Sequence, residues 1–206
     1  MVVRLRPEPL DARVVAASSA AVYGQPESVP VPESARLAPT SPYGVDKLAL
    51  DAYTRLFADL YGLPTVTLRY FNVYGPRQTA SYSGVISTFF EQAAAGVPLT
   101  VQGDGSQTRD FVHVSDIVAA NLLAAATEYT GEVFNVGTGT ETRIDELARL
   151  IIERTGSNAD VRYVERRPGD VRRSCAAIEK ATTLLGYDPA VELSDGLESL
   201  VPAEHP

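Results

Sequence analysis

Tyr43 and Lys47 are the two residues whose types and spacing point most directly to chemistry. Four residues apart on a helix, they lie on one face and about 6 Å apart along the helix axis. A tyrosine phenol, with an ordinary pKa of about 10, is a poor base at neutral pH, but a nearby ammonium group stabilises its phenolate. Tyr43 could therefore act as a general base beside Lys47, although a solvated helix face would give the same spacing.

Ser18 and Ser19 stand at the end of an apolar run, residues 14–18, that is typical of a buried parallel strand. The carboxyl ends of parallel strands line one edge of the sheet, where ligands bind. Ser19 could therefore hydrogen-bond the same substrate oxygen on which Tyr43 acts. A small residue that permits close packing in the turn explains Ser19 equally well.

Alternating strand and helix patterns place these residues in an α/β protein. Strand patterns cover residues 14–18, 65–70, 99–102, 108–114, 132–136 and 161–164. Helix patterns run from Pro42 to Gly62 after the cap residue Ser41, over 85–95, from the cap residue Ser115 to 127, over 144–151 and 178–185, and more weakly over 195–201. Strands that alternate with helices predict a parallel sheet.

The composition argues against several classes of partner. The formal net charge of the 206 residues is −8, whereas binding of nucleic acid requires a basic surface. No run of about 18 apolar residues and no signal-peptide pattern is present, so we expect a cytoplasmic protein without a membrane span. Cys175 is the single cysteine, and His113 and His205 are the only histidines, which argues against a metal site and excludes a disulfide within the chain.

Seven ordered segments resemble those of extended short-chain dehydrogenases/reductases that act on nucleotide-activated sugars. They are SSAAVYG, SPYGVDK, RYFNVYGPRQ, GDGSQTRDFVHVSD, FNVGTGTE, RPGDVRRS and LLGYDP. The resemblance implies an α/β fold: the C-terminal part of a Rossmann-type parallel sheet plus a smaller α/β substrate-binding domain. Residues 14–75 and 114–136 would form the remnant of the Rossmann-type catalytic domain, and 76–113 and 137–201 the nucleotide-sugar-binding domain. Residues 1–13 are an atypical start.

The resemblance also implies a catalytic set of Ser19, Tyr43 and Lys47. Tyr43 would take the proton of the sugar 4-hydroxyl as hydride leaves C4 for NAD, and Ser19 would orient the 4-oxygen. Lys47 would also hold the nicotinamide ribose. The NAD contacts that the resemblance implies are Ser18, Tyr43, Lys47 and Phe71.

The substrate implied by the resemblance is a UDP-sugar, bound by Ser19, Asn72, Arg77, Arg109, Arg167 and Asp170. Arg109 and Arg167 match the arginines that contact the diphosphate, a role to which the forked guanidinium is suited. Asp170 matches an acid near the nucleotide end, whereas Arg77 is either a further contact or a surface arginine of its loop. A homodimer, formed through helices that include the one carrying Tyr43, is also implied.

Ala20 and Ala21 decide among the reactions of the family. The dehydratases and decarboxylases of this family have sequences similar to Ser-Thr-[Asp/Ser]-Glu-Val-Tyr-Gly, in which an acidic residue moves protons. Ala20 and Ala21 stand at the third and fourth positions of this pattern, and alanine cannot transfer a proton. A 4-keto intermediate formed here could only receive its hydride back, and return to the opposite face is epimerisation. The sequence therefore resembles UDP-glucose 4-epimerases most. Ser174, near the position of a gatekeeper in these enzymes, leaves open whether N-acetylated sugars fit.

The Gly-x-x-Gly-x-x-Gly turn that holds the pyrophosphate of NAD in this family is missing from the sequence. The nearest segments are 103–105 and 137–139, and the second has Thr142 where a third glycine would stand. We therefore expect NAD binding and turnover to be impaired in this chain alone. The alternatives are a catalytically silent fragment, a nucleotide-sugar-binding remnant, or a related nucleotide-sugar dehydratase or reductase.

Overall fold

The computed structural model describes residues 12–78, 84–167 and 169–201, so residues 1–11 of the atypical start lie outside the described residues. The strands are β1 Val14–Ser19, β2 Thr65–Tyr70, β3 Asn72–Tyr74, β4 Leu99–Gln102, β5 Thr108–Arg109, β6 Phe111–His113, β7 Glu132–Val136, β8 Thr142–Arg143 and β9 Val161–Val164. The helices are α1 Pro42–Tyr61, α2 Val85–Ala94, α3 Val114–Ala126, α4 Ile144–Thr155, α5 Glu179–Leu185 and α6 Leu193–Glu198, and a 3-10 turn spans Ala20–Tyr23.

The main sheet is parallel and has the strand order β1-β2-β7. Val14–Ser19 pairs in register with Thr65–Tyr70, which in turn pairs with β7. β2 lies in the middle, and its β-branched residues are buried, as is typical of a strand covered on both faces. The parallel order, with helices between the strands, confirms the predicted α/β fold.

Three smaller strand pairs extend the chain beyond this sheet. β3 pairs with β6 and β4 with β9, both in parallel, whereas β5 and β8 are antiparallel. The pattern at 108–114 predicts one strand, but the structure has two, because the chain breaks at Asp110. The side chain of Asp110 turns inward there and binds backbone amides of another loop.

The ends of α1 follow from local sequence signals, and they are confirmed. Ser41 Oγ accepts a hydrogen bond from Gly44 N at 3.1 Å, and Pro42 occupies the first turn. Gly62 ends the helix in the left-handed conformation, with φ of 63°. The prediction that Ser115 caps α3 is wrong, because that helix begins earlier and His113 Nδ1 accepts the hydrogen bond of Ser115 N.

Two large apolar clusters hold the described residues together. One lies between the main sheet and helices α3 and α5, with Leu68 and Phe134 fully buried. The other joins α2, α4, α6 and β4, with Phe89 and Leu147 at its centre. The first cluster also contains Ala181 and Leu185, which the expected division assigns to the other domain, so the division into two domains stays a prediction. None of the described helices has both the length and the apolarity required to cross a membrane.

Candidate active site

The start of α1 lies against the end of β1, and this contact gathers the predicted catalytic residues at the carboxyl edge of the sheet. Lys47 Nζ donates a hydrogen bond to the Ala17 carbonyl oxygen at 2.8 Å. The same ammonium lies 5.7 Å from the centroid of the Tyr43 ring. Because Ala17 precedes Ser19 by two residues, Lys47 lies between the tyrosine and the strand end that carries the serine. Tyr43 is 55% exposed, so its phenol is open to a ligand.

Gly44 permits the close approach of α1 to the turn after β1. A Cβ atom at this position would lie 2.7 Å from the Ala21 carbonyl oxygen and 2.9 Å from Pro39 Cβ. Neither neighbour is the end of a flexible side chain, so a larger residue would push the helix away. The glycine that follows Tyr43 therefore keeps the phenol near the turn that begins at Ser19.

The two serines differ in their surroundings. Ser19 Oγ accepts a hydrogen bond from Ala21 N at 3.2 Å and caps the 3-10 turn, so its hydroxyl has a structural role besides the expected one in catalysis. Its hydroxyl hydrogen is still able to reach a ligand oxygen, because a hydroxyl both donates and accepts. Ser18 is 2% exposed, and its Oγ has no hydrogen-bond partner among the described residues. A buried hydroxyl without a partner is costly and needs an explanation.

A second group of predicted residues lines a cleft of about 210 Å³. Asn72, Arg109, Arg167 and Asp170 all belong to its wall, together with Val85, Thr100, Gln102, Gln107 and Ile144. The structure therefore brings together four of the six residues expected to bind substrate.

Arg109 is fixed in this cleft by two contacts. Its guanidinium donates to Asp170 Oδ1 at 2.5 Å and to the Thr108 carbonyl oxygen at 2.7 Å. Burial lowers the pKa of Arg109, and Asp170 opposes this effect. A guanidinium has five N–H donors, so these two contacts leave capacity for an oxyanion. Arg109 is thus held ready for a ligand that carries phosphate oxygens.

Phe71 and Arg77 lie apart from that cleft wall. The Phe71 ring is buried beside Tyr23, with 6.5 Å between the ring centroids, and belongs to a small apolar cluster with Val31. Arg77 lies in the loop after β3 and has a φ of 68°, a conformation that few residues other than glycine adopt. The structure therefore gives Phe71 a packing role and leaves Arg77 on the surface loop.

No sequence motif indicates the buried ion pair that lies beneath α1. Arg69 donates through Nε to Asp51 Oδ2 at 2.6 Å, and both side chains are about 5% exposed. Arg69 also donates to Tyr23 OH at 2.9 Å, and Tyr23 OH donates to Asn135 Oδ1 at 2.6 Å. The one available signal was an arginine inside the β-branched run TVTLRY, since a charged residue in a buried strand requires a partner.

Asp110 is a second buried charge that sequence reasoning missed. Its carboxylate accepts hydrogen bonds from Thr138 N at 2.8 Å, Gly139 N at 3.0 Å and Ala176 N at 3.0 Å. Burial raises the pKa of Asp110, and these hydrogen bonds oppose the rise. The amides of the 137–139 turn are thus occupied by a side chain of the same chain. This segment, one of the two nearest to the missing glycine motif, does not present those amides to a pyrophosphate.

The fold and the site define a class of protein, one with a Rossmann-type parallel sheet and a tyrosine–lysine pair at its carboxyl edge. A family model described as GDP-mannose 4,6 dehydratase matches residues 2–200. The chain therefore belongs to the NAD-dependent epimerase/dehydratase family of extended short-chain dehydrogenases/reductases. The resemblance drawn from the sequence segments is confirmed.

Several of the similar proteins within this family are named as UDP-sugar 4-epimerases. The UDP-glucose 4-epimerase of Mycolicibacterium smegmatis is 38% identical over 185 residues, which are 89% of this chain and 59% of the relative. The UDP-glucose 4-epimerase of Thermotoga maritima, solved with UDP-glucose, is 40% identical with a TM-score of 0.87, over 91% of this chain and 62% of that chain. The UDP-glucuronic acid 4-epimerase of Bacillus cereus, solved with its UDP-sugar and NAD, is 36% identical with a TM-score of 0.85, over 91% and 59%. This chain spans about three fifths of their lengths.

Proposed function

We propose that this chain carries the catalytic and substrate-binding residues of an NAD-dependent 4-epimerase for a UDP-hexose of the UDP-glucose/UDP-galactose type. The observation that carries the proposal is the position of Lys47, between the Tyr43 ring and the strand end that leads to Ser19. The T. maritima relative bound to UDP-glucose supports the choice of sugar. The B. cereus relative bound to UDP-glucuronic acid makes a sugar acid the competing substrate.

Tyr43 would act as the base for the sugar 4-hydroxyl. Its phenolate would take the hydroxyl proton as the C4–H bond breaks, and would return that proton when C4 is reduced again. Lys47 would stabilise the phenolate through its positive charge, and Ser19 would hold the 4-oxygen by a hydrogen bond. Ala20 and Ala21 offer no proton, which leaves reduction at C4 as the way out of the ketone.

The end of β1 suits NAD as the hydride carrier. Ser18 Oγ is buried and has no partner within the described part of the chain, and Lys47 presents an ammonium group at the same strand, so both suit the hydroxyl and amide groups of a nicotinamide nucleoside. When bound, NAD would accept the hydride from C4 of the sugar and return it to either face of the resulting C4 ketone. Ser18 and Lys47 would hold the cofactor, and Phe71 would pack behind the site as part of its small apolar cluster.

The cleft lined by Arg109 and Arg167 would hold the UDP diphosphate. Asp170 orients the Arg109 guanidinium through their ion pair, and Asn72 stands at the same wall for a polar contact with the substrate. The positive charge of two arginines balances the negative charge of a diphosphate, and their forked donors match its oxygens. Arg77 would add a contact only from its surface loop.

A second copy of the chain is the proposed partner, through the outer face of α1. Tyr53, Leu56 and Leu60 are 64%, 47% and 66% exposed there, and Tyr61 and Val45 extend the same apolar surface. An apolar patch of this kind on a folded protein marks an interaction site. Sedimentation of the chain should therefore give a dimer, and Leu56→Glu with Leu60→Glu should give a monomer.

Calorimetric titration of UDP into the chain tests the substrate site without any need for NAD. Arg109→Met should weaken UDP binding by about 10-fold or more, because hydrogen bonds to charged groups contribute about 1.5–3 kcal/mol each. Arg143→Met is the matched control, since Arg143 pairs with Asp145 outside the cleft wall and should leave UDP affinity unchanged. Equal affinity for UDP in both variants would contradict the assignment of the cleft.

The reaction itself is tested in a hybrid that pairs residues 14–201 with the dinucleotide-binding part of the T. maritima relative. This design supplies the glycine motif that these 206 residues lack. The hybrid should interconvert UDP-galactose and UDP-glucose, with the native relative as the positive control. A 4-keto-6-deoxy product would replace the epimerase assignment by a dehydratase. Bound UDP-galactose without any product would favour a nucleotide-sugar-binding protein.

A further inference from the structure

The contact between α1 and the sheet is polar, although the helix is rich in apolar residues. The side chains that α1 buries fully are Asp51 and Thr54, whereas most of its large apolar residues face outward and Leu48 packs half-buried against the small apolar cluster with Val31. Asp51 pairs with Arg69 of β2, and Thr54 Oγ1 lies 2.8 Å from Thr67 Oγ1 of the same strand. Directional bonds, rather than interchangeable apolar packing, therefore fix this helix on the sheet.

Arg69 connects α1 to the turn that follows Ser19. Its Nε binds Asp51, and its Nη1 donates to Tyr23 OH at 2.9 Å and to the Glu33 carbonyl oxygen at 3.1 Å. Tyr23 is the last residue of the 3-10 turn that Ser19 caps. One guanidinium thus holds the helix with the proposed base and the turn with the proposed serine at the same time.

Asp51 follows Lys47 by one helical turn, as Lys47 follows Tyr43. One turn corresponds to about 6 Å along the axis, so an anchor at Asp51 sets how far Tyr43 and Lys47 extend past the end of β1. A shift of the helix along its axis would move Lys47 from the Ala17 carbonyl and would stretch the two bonds at Arg69. The geometry of the anchor and that of the proposed site are therefore linked.

We propose that Asp51 and Arg69 are positioning residues that fix the axial position of α1 and thereby hold Lys47 at the Ala17 carbonyl of β1, a role that rests on the proposed function of the Tyr43–Lys47 pair. We expect these two residues to affect the position of α1 more than the free energy of unfolding. Replacement of a buried ion pair by apolar residues of similar volume is often neutral or stabilising, while the loss of one partner leaves an uncompensated charge. Apolar replacements of both residues would thus separate the two contributions.

The lysine content of the chain allows a direct test, because Lys47 and Lys180 are its only lysines. In the full chain labelled with ¹³Cε-lysine, a carbon–proton NMR spectrum should show two side-chain signals, assigned with Lys180→Arg. The urea-unfolded chain gives the reference position of a lysine signal without any contact to β1. In the double variant Asp51→Leu with Arg69→Met, we expect the Lys47 signal to move toward that reference, because its ammonium leaves the Ala17 carbonyl. Lys180 lies on α5 and donates hydrogen bonds to Glu132 and Val133 of β7, so its signal should stay unchanged.

The matched control is the double variant Glu141→Leu with Arg173→Met, which removes an ion pair that lies away from α1. It should leave both lysine signals in place. An unmoved Lys47 signal in the folded Asp51→Leu/Arg69→Met chain would overturn the positioning role. If that chain does not fold, Asp51→Ala decides in the same way, since it removes the acceptor of Arg69 Nε while Arg69 keeps its bonds to Tyr23 OH and the Glu33 carbonyl.

The NMR signal requires no turnover, so it separates this inference from the proposed reaction. A moved Lys47 signal together with an inactive hybrid would support the anchor and contradict the epimerase. A static Lys47 signal together with an active hybrid would contradict the anchor alone.

Discussion

Replacement of Asp110 by asparagine tests how a buried carboxylate organises the turn at residues 137–139. Asp110 Oδ1 accepts from Thr138 N and Oγ1, and Oδ2 accepts from Gly139 N and Ala176 N, so each oxygen has two donors. An asparagine keeps the shape but presents an NH₂ group at one of these positions. The Oδ1 position is the less unfavourable one, because the Thr138 hydroxyl can rotate and accept.

The expected loss of stability follows from these contacts. Thr138 N–H would lose its acceptor, at about 1–3 kcal/mol for a buried unsatisfied donor. The bonds from Gly139 and Ala176 would lose the assistance of the charge, while relief from burying that charge would offset part of the loss. We expect Asp110→Asn to lower the free energy of unfolding by about 2–3 kcal/mol.

Urea unfolding followed by circular dichroism measures this change. With a slope of about 2 kcal/mol/M, the midpoint should fall by about 1 M or more. Thr138→Val is the control, because it keeps the Asp110 carboxylate and removes the bond from the Thr138 hydroxyl to Asp110 together with the exposed bond from Thr140 N, at a cost of about 1 kcal/mol. An Asp110→Asn chain with the stability of the native chain, or with a smaller loss than Thr138→Val, would refute this account of the carboxylate.

Three further predictions concern other contacts. Gly44→Ala should lower turnover of the hybrid by about 100-fold through displacement of Tyr43, since a misplacement of about 1 Å costs this much. The free energy of unfolding should fall by about 1–3 kcal/mol, because the added Cβ meets a backbone oxygen and a proline ring; normal turnover would contradict the role of Gly44. The hydrogen bonds of Arg173 lower the pKa of Glu141, so Glu141→Gln should lower the unfolding free energy by less than about 1 kcal/mol at pH 7. That difference should vanish as the pH falls below the depressed pKa, and a pH-independent difference from the native chain would contradict it. Leu56→Glu with Leu60→Glu should convert the proposed dimer to a monomer in sedimentation, and an unchanged sedimentation coefficient would argue against that interface.

The elements that could be predicted from the sequence are those with local causes. Ser41, Pro42 and Gly62 define the ends of α1 through capping, ring geometry and the left-handed conformation, all of which act within a few residues. The β-branched residues of β2 likewise indicate a buried strand. These signals do not depend on the rest of the fold, and the structure agrees with each of them.

The features that escaped prediction depend on residues far apart in the chain. The ion pair of Asp51 with Arg69 joins positions 18 residues apart, and the bonds of Asp110 reach 28 to 66 residues along the chain. The orientation of α1 also could not be read from periodicity, because its apolar spacing marks a helix without saying which face is buried. Here the polar face is buried and the apolar face is exposed. The grouping of Asn72, Arg109, Arg167 and Asp170 followed from family resemblance rather than from any local pattern.

The rate of UDP-galactose conversion by the Tyr43→Phe hybrid is the measurement that bears most directly on the proposed reaction. A general base contributes about 100-fold to 10,000-fold, so the variant should lose at least two orders of magnitude in turnover while its affinity for UDP stays unchanged. Tyr53→Phe, at an exposed tyrosine of the same helix, should retain full turnover. Undiminished conversion by Tyr43→Phe would contradict the proposed chemistry of the site.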